Sequence, residues 1–293
     1  MRVGYNGGVT AVLDSRGIAE EYLDWVRREA AALPFRPALA VVLHRPAADE
    51  ASEQYRDLIL KDAARLGLEG RALESAGLDG LKAAIARANE DPGVHGIVVL
   101  YPLRCSLPDE DVMDLVSPYK DAEGLHSVNL GYLIKYKKLL DPARGIKCVV
   151  PATPKAVVKS LQSRPDIRLE GAFVAIINNS MRVGKPLGLM LENLGATVVK
   201  CSHLTRPEDL ERCVRAADVL VTAVPDPAFR IPSGWVKTGA AVLDVSHQGN
   251  VDAQGLDGRA ALMTVPENRL GKVTRAMMFV NLVYCARYKG VYY

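Results

Sequence analysis

The sequence lacks several features that would assign it to a large class of proteins. It has five cysteines among 293 residues, widely spaced and without a CxxC pair, which argues against a disulfide framework and a zinc ribbon or finger. No stretch approaches the roughly 18 apolar residues of a membrane-spanning helix, and the N-terminus has no apolar core of the secretory type. These absences predict a protein of the reducing cytoplasm that has no membrane partner.

Charge of one sign is also scarce. Lys and Arg number 37 and Asp and Glu 34, which leaves a net charge of +3. Such an even balance of charge does not indicate a basic surface for nucleic acid. The basic run Lys135-Tyr136-Lys137-Lys138 is typical of a solvated turn. With 49% apolar residues, the chain is expected to be globular and long enough for two domains.

Short apolar runs alternate with amphipathic stretches along the first half of the chain. Residues 38–43 and 96–101 are typical of buried strands, and helical spacing of apolar residues marks 48–66 and 78–89. Alternation of this kind predicts βαβ units and a parallel sheet.

The pattern starts again at Pro151, where Thr153-Pro154 is typical of a helix N-cap followed by proline. The sequence therefore predicts an α/β fold with two domains, 1–150 and 151–270, and a C-terminal helix 271–289 that packs back on the first. The elements predicted for the second half are a helix to 161, strand 172–177, helix 185–194, strand 196–200, helix 207–216 and strands 218–224 and 240–245.

The second half contains a possible nucleotide site. Strand 172–177 leads through Asn178-Asn179-Ser180 into a helix, and free backbone N–H groups at such a helix start suit a pyrophosphate. The G-x-G-x-x-G pattern is absent, since only Gly184 and Gly188 are present. A purely structural βα connection is an open alternative at this point.

The end of the next strand has no acidic residue of the kind that binds the ribose of NAD. Lys200, His203 and Arg206 stand there instead. They are candidates to face a 2′-phosphate, or they are solvated charges, and the sequence leaves both interpretations open.

Several motifs together resemble the methylenetetrahydrofolate dehydrogenase/cyclohydrolase family, in family order from about residue 9 to residue 285. They are Gly96-Ile97-Val98-Val99 with Pro102-Leu103, Lys120-Asp121-Ala122-Glu123-Gly124-Leu125, Pro151-x-Thr153-Pro154, Asn179-Ser180-x-x-Val183-Gly184-Lys185-Pro186 and Gly271-Lys272-Val273-Thr274-x-Ala276-Met277. The resemblance implies a folate-binding domain, a Rossmann domain, and oxidation of 5,10-methylenetetrahydrofolate with NAD or NADP in the cleft between them. It also implies a homodimer and no metal.

The resemblance implies the site residues as well. Tyr55 would stack on the aminobenzoyl ring and position the substrate, and Glu123 would accept hydrogen bonds from the pterin. Ile59, Leu100 and Pro266 would complete the substrate site. The implied cofactor-binding residues are Thr153, Asn179, Ser180, Val183, Gly184, His203, Val224, Pro225, Val245, His247 and Thr274. The choice between NAD and NADP stays open, because Asn179 replaces an Arg common in NADP-using members whereas His203 stands at a phosphate-binding position.

The departures from the family concern the cyclohydrolase step. In bifunctional members a Lys follows the Tyr by four residues and works with a Gln on the next strand, but here Ile59 and Leu100 occupy these positions. Lys61 lies about 200° around the helix from Ile59 and cannot simply substitute. A slipped alignment, with both residues in the core, is the alternative. Together with Glu123 in place of the more usual Asp, the loss resembles the monofunctional dehydrogenase branch.

The loop 266–272 is bulkier and more charged than the family's glycine-rich segment. Three hypotheses follow: a methylenetetrahydrofolate dehydrogenase without cyclohydrolase activity, a repurposed paralogue that acts on another one-carbon adduct in a specialised pathway, and a catalytically silent folate- or nucleotide-binding protein.

Overall fold

The structure, a computed structural model, describes residues 9–292, with the side chain of Asn268 left out. The α-helices in this range are α1 (Ser15–Ala31), α2 (Glu50–Arg65), α3 (Gly77–Glu90), α4 (Asp109–Met113), α5 (Ser127–Ile134), α6 (Ala152–Gln162), α7 (Gly184–Glu192), α8 (Pro207–Ala216) and α9 (Gly271–Tyr288). The strands are β1 (Ala11–Val12), β2 (Ala38–His44), β3 (Glu69–Ser75), β4 (Gly96–Val99), β5 (Leu139–Asp141), β6 (Ile146–Lys147), β7 (Phe173–Ile177), β8 (Thr197–Cys201), β9 (Val219–Thr222), β10 (Ala241–Asp244) and β11 (Leu262–Met263). In the part of the chain so described, no helix has the length and apolar character needed to cross a bilayer.

The chain divides into two compact units. One contains residues 9–19 and Thr153–Thr274, and the other contains Glu20–Ala152 and the described residues from Arg275 onward. The division falls between Ala152 and Thr153, whereas the sequence predicts it between residues 150 and 151. Residues 9–19, however, belong with the second half of the chain, because β1 pairs with β11 there.

The unit that contains 153–274 has a six-stranded sheet in the order β1-β11-β10-β9-β7-β8. All its pairings are parallel, including β7 with β8. Strands β7 and β9 are nearly continuous apolar runs that are buried along most of their length, as expected where helices cover both faces of a parallel sheet. The predicted α/β fold with a Rossmann-type parallel sheet is confirmed.

The strand order places a topological switch point between β7 and β9. From β7 the chain proceeds to β8 on one side of it, and then returns through α8 to β9 on the other side. In open parallel sheets, ligands bind outside the carboxyl ends of the strands at such a point. The loops after β7 and β9 are therefore where a bound ligand is expected.

The other unit has a three-stranded parallel sheet in the order β3-β2-β4 and a short antiparallel hairpin, β5–β6. Strand β2 is buried at every position and α3 packs on one face of the sheet. From residue 275 onward, α9 also belongs here: Arg275 pairs with Asp62 at 2.7 Å, and Asn281 donates to the carbonyl oxygens of Ala122 and Val150.

His95, just before β4, is a buried histidine held in its neutral form. Its Nδ1 accepts the backbone N–H of Ala38 at 3.1 Å, and its ring stacks on Phe35. Burial, together with the positive charges of Lys289 and Lys120, lowers the pKa of His95 to about 4.

This environment predicts a pH-dependent stability. The pKa of His95 falls from 6.5 to about 4 on folding, so the unfolded chain binds more protons in this range. Its contribution to stability is complete above pH 6.5 and is lost as the pH falls towards 4. We expect His95→Gln, which cannot titrate, to weaken the decline of the unfolding free energy over this range in urea titrations. The exposed His203 supplies the control, His203→Gln, which should keep the wild-type slope; equal slopes for wild type and His95→Gln would contradict the prediction.

Candidate functional site

The turn after β7 is organised by the side chain of Asn178. Its Oδ1 accepts hydrogen bonds from the backbone N–H and the hydroxyl of Ser180, at 2.9 and 2.8 Å, and from the N–H of Gly184 at 2.9 Å. Its Nδ2 donates to the carbonyl oxygen of Ala223 at 2.8 Å. A Cβ on Gly184 would lie 2.0 Å from the carbonyl oxygen of Asn178, so only glycine fits this close approach.

The backbone donors at the start of α7 are already used. The N–H of Gly184 donates to Asn178, and that of Lys185 donates to the carbonyl oxygen of Ser180 at 3.0 Å. Pro186 has no N–H to offer. The expectation of free donors at this helix end is therefore wrong, because an amide oxygen and a carbonyl oxygen of the chain itself accept these N–H groups.

Asp244, at the end of β10, holds the loop that follows it. Its carboxylate accepts hydrogen bonds from the N–H and hydroxyl of Ser246 and from the N–H groups of Asn250 and Val251. The hydrogen bonds to this one carboxylate thus hold the loop that contains the predicted cofactor residues Val245 and His247.

Asn250 connects that loop to the segment after β9. The residue is fully buried, at 0% exposure. Its Oδ1 accepts from the hydroxyl of Thr222 at 2.7 Å and from the N–H of Val224 at 2.9 Å, and its Nδ2 donates to the carbonyl oxygen of Val224 at 3.1 Å. Sequence reasoning missed Asn178, Asp244 and Asn250 as organising residues. The available signal for Asn178 was its place directly after the predicted strand 172–177, whereas Asp244 lies inside the predicted strand 240–245 and Asn250 five residues beyond it.

Most of the predicted cofactor residues lie on loops at the carboxyl edge of the same sheet, because parallel strands all end at one edge. Thr153 lies inside the first turn of α6, which begins at Ala152, so its predicted role as an N-cap is wrong. Thr274 lies in the first turn of α9. Of the others, Asn179, Ser180 and Val183 precede α7 and Gly184 begins it, His203 follows β8, Val224 and Pro225 follow β9, and Val245 and His247 follow β10.

The cationic residues near the end of β8 divide into two kinds. Lys200 lies 3.8 Å from Glu192 of α7, and Arg206 pairs with Asp209 of α8 at 2.7 Å. His203 is exposed. Since acids of the chain already face Lys200 and Arg206, His203 is the better candidate for a cofactor contact.

In the other unit, the two positions expected from the motifs to distinguish this chain from bifunctional members are buried. Ile59 in α2 is 0% exposed and Leu100, just after β4, is 8% exposed. Tyr55 stands four residues before Ile59 and is half-buried on the same face of the helix, whereas Lys61 is exposed. No lysine of α2 therefore replaces the missing one.

Glu123 lies on a turn that a buried carboxylate holds. Asp121 accepts hydrogen bonds from the N–H groups of Gly124 and His126, both at 2.8 Å, and from Nδ2 of Asn129 at 2.9 Å. Burial raises the pKa of Asp121 against the opposing effect of these donors. A parallel bridge between Asp121 and Ile97 aligns the segment with β4, which presents Glu123 just beyond the sheet.

Gly124 is the position in this turn that tolerates no side chain. Its φ is +74°, and a Cβ would lie 2.4 Å from the carbonyl carbon of Val150. We expect Gly124→Ala to lower the unfolding free energy by at least about 2 kcal/mol, measured by urea unfolding. The control is Gly131→Ala in α5, where a Cβ meets nothing within 4 Å and a gain of about 0.5–1 kcal/mol is expected. Equal stabilities for the two variants would count against this account of the turn.

A pocket of about 880 Å³ lies in the unit that contains 153–274, at the ends of β10 and β11. Pro266, predicted in the substrate site, lines it together with Ser246 and Gln248. The unusual loop contributes Glu267 and Arg269, and Pro266–Asn268 form a short 3-10 helix. Among the described residues, no group of His, Cys, Asp and Glu could hold a metal ion.

Comparison with known proteins shows the family to which the chain belongs. Residues 151–290 match the NAD(P)-binding domain of tetrahydrofolate dehydrogenase/cyclohydrolase, and residues 13–123 match the catalytic domain of the same enzymes. The bifunctional protein FolD of Xanthomonas axonopodis pv. citri is 34% identical over 299 aligned residues, which cover 96% of this chain and 93% of that protein. The chain therefore belongs to the tetrahydrofolate dehydrogenase/cyclohydrolase family, as its motifs indicated.

Two solved structures share the fold and differ in their cofactor. The Trypanosoma brucei methylenetetrahydrofolate dehydrogenase-cyclohydrolase, complexed with NADP and an inhibitor, has a TM-score of 0.86 at 27% identity and covers 96% of this chain and 98% of its own. The NAD-dependent methylenetetrahydrofolate dehydrogenase of Saccharomyces cerevisiae has a TM-score of 0.85 at 25% identity with the same coverage. Relatives of this chain thus use either dinucleotide.

Proposed function

We propose that this chain oxidises 5,10-methylenetetrahydrofolate to 5,10-methenyltetrahydrofolate by hydride transfer to NAD or NADP, and that it lacks cyclohydrolase activity. The observation that carries the proposal is the buried aliphatic pair Ile59 and Leu100, 0% and 8% exposed, in a chain whose other motifs follow the order of the family. A cytoplasmic homodimer, expected from the sequence, remains a prediction.

Hydride transfer does not require the protein to accept or donate a proton. The hydride leaves a methylene carbon flanked by two nitrogens, whose lone pairs stabilise the resulting cation, so no side chain has to take a proton. When bound, the nicotinamide supplies the hydride acceptor. The protein's own task is positioning: Glu123 would accept hydrogen bonds from the pterin, and Tyr55 would stack on the aminobenzoyl ring.

Hydrolysis of the methenyl product has different requirements. Attack by water on the methenyl carbon needs an oriented water molecule and a group that moves a proton. The hydrocarbon side chains of Ile59 and Leu100 can do neither, and Lys61 is exposed and lies on a different face of α2 from Ile59. Dehydrogenation without hydrolysis is the combination that this residue set supports.

The test is a pair of assays on one preparation. With methylenetetrahydrofolate and either dinucleotide, the methenyl absorbance should accumulate. Methenyltetrahydrofolate added alone should decay at the rate of a buffer blank, because general acid–base help worth about 10²–10⁴-fold is missing. The double variant Ile59→Lys, Leu100→Gln should raise that decay.

Each outcome of these assays has a defined meaning. Decay by the wild-type protein that is faster than the blank, and abolished by Glu123→Gln, would show that another group activates water. No reduction of either dinucleotide, while methylenetetrahydrofolate and the dinucleotide both bind, would favour the silent binding protein. Reduction with a different one-carbon adduct only would favour the repurposed paralogue.

We also expect NADP to be used better than NAD, because the end of β8 lacks an acidic residue and the exposed His203 follows it. A hydrogen bond from His203 to the 2′-phosphate predicts that His203→Ala raises the KM for NADP by roughly 10- to 100-fold and leaves that for NAD unchanged. Steady-state kinetics with both dinucleotides measures this, and equal effects on the two would place His203 away from the 2′ position.

A further inference from the structure

Two asparagine side chains connect three neighbouring loops at the carboxyl edge of the six-stranded sheet. Strand β9 lies between β7 and β10. From the β7 side, Asn178 donates to the carbonyl oxygen of Ala223 at 2.8 Å, and from the β10 side, Asn250 donates to that of Val224 at 3.1 Å. The segment Ala223–Val224 after β9 is therefore held by both of its neighbours. We refer to the loops after β7, β9 and β10, so connected, as the three-loop rim.

Each asparagine is also tied to its own loop, Asn178 through its side-chain amide and Asn250 through its backbone N–H. Asn178 accepts from the donors of Ser180 and Gly184 in its own turn. Asn250 is tied to its own strand, because its N–H donates to Asp244. Each asparagine side chain thus accepts through its carbonyl oxygen and donates through its amino group, which neither a carboxylate nor a hydrocarbon side chain could do.

Burial makes the side-chain hydrogen bonds of Asn250 costly to break. Asn250 and its partner Thr222 are both fully buried, at 0% exposure, and the Thr222 hydroxyl donates to Asn250 Oδ1 at 2.7 Å. Water cannot replace a partner lost there, so the penalty for an unpaired amide applies in full. The connection between the loops after β9 and β10 is therefore specified before any ligand arrives.

We propose that Asn178 and Asn250 are positioning residues of the dinucleotide site, which hold the three-loop rim in the conformation that binds the cofactor. The inference rests on the proposed function for the identity of the ligand. Asn179, Val224 and His247, all predicted to touch the cofactor, stand on the three loops of the rim. Loops held in their binding conformation lose little entropy when the ligand binds, and this raises affinity without an added contact.

A double-mutant cycle tests the proposal. Asn178→Ala, Asn250→Ala and the double variant are titrated with NAD and with NADP by fluorescence, at a temperature where circular dichroism shows each to be folded. Each single variant should raise the Kd roughly tenfold. Because both act through Ala223–Val224, the double variant should raise it clearly less than the product of the single effects. An effect equal to that product would show that the two asparagines act independently, and it would overturn the proposal that they act through one rim.

The control is Asn89→Ala in the other unit. Asn89 makes a comparable tie between segments, since its Nδ2 donates to the carbonyl oxygen of Leu115 at 2.7 Å and its Oδ1 accepts from the N–H of Ser117 at 2.8 Å. It should lower the Tm and leave the Kd for the dinucleotides unchanged. Asn178 and Asn250 variants that behave in the same way would have only a structural role, and the proposal would be overturned.

Thr222→Val is the milder variant if an alanine variant does not fold. It removes only the hydroxyl that Asn250 accepts and should raise the Kd roughly two- to fivefold; an unchanged Kd would overturn the proposal. A wild-type protein that binds neither NAD nor NADP would overturn the proposed function and this inference with it. Wild-type binding matched by all variants would overturn the inference alone.

Discussion

Polar groups buried at the ends of parallel strands must find hydrogen-bond partners inside the protein, and the turns of both units depend on this requirement. The buried Asp121 meets it in one unit and the half-buried Asp244 meets it in the other, and each accepts several donors from the segment that follows it. A buried carboxylate is unfavourable by itself, and the donors gathered around it offset that cost. The hydrogen bonds to these two carboxylates thus determine the conformation of the turns that contain Glu123 and Val245.

The same requirement limits what the polar groups can do in chemistry. The first backbone donors of α7, which a phosphate could have used, are taken by Asn178 and Ser180. On the other unit, two positions that could have held proton-transferring groups are filled by Ile59 and Leu100. What is left suits a reaction driven by alignment, and hydride transfer is such a reaction.

Membership of the tetrahydrofolate dehydrogenase/cyclohydrolase family and departure from its pattern are both visible at single positions. Gly184 is required because a side chain would collide with the carbonyl group of Asn178, and Gly124 because of its φ and the backbone of Val150. Such positions preserve the fold while others change. Ile59 suits the fold because a buried position on α2 accepts a hydrocarbon readily.

The sequence by itself determined the elements that are buried on both faces and the family to which the chain belongs. Continuous apolar runs such as β2, β7 and β9 can be recognised locally, and the family motifs require only residue identity and order. Strand β3 was missed, because Glu69–Ser75 is an edge strand that alternates charged and small residues. The tertiary structure alone decided which strands are neighbours, and with them the partners of Asn178 and Asn250. Those partners lie 45 and 26 residues away along the chain, and no local pattern encodes a contact that the sheet order creates.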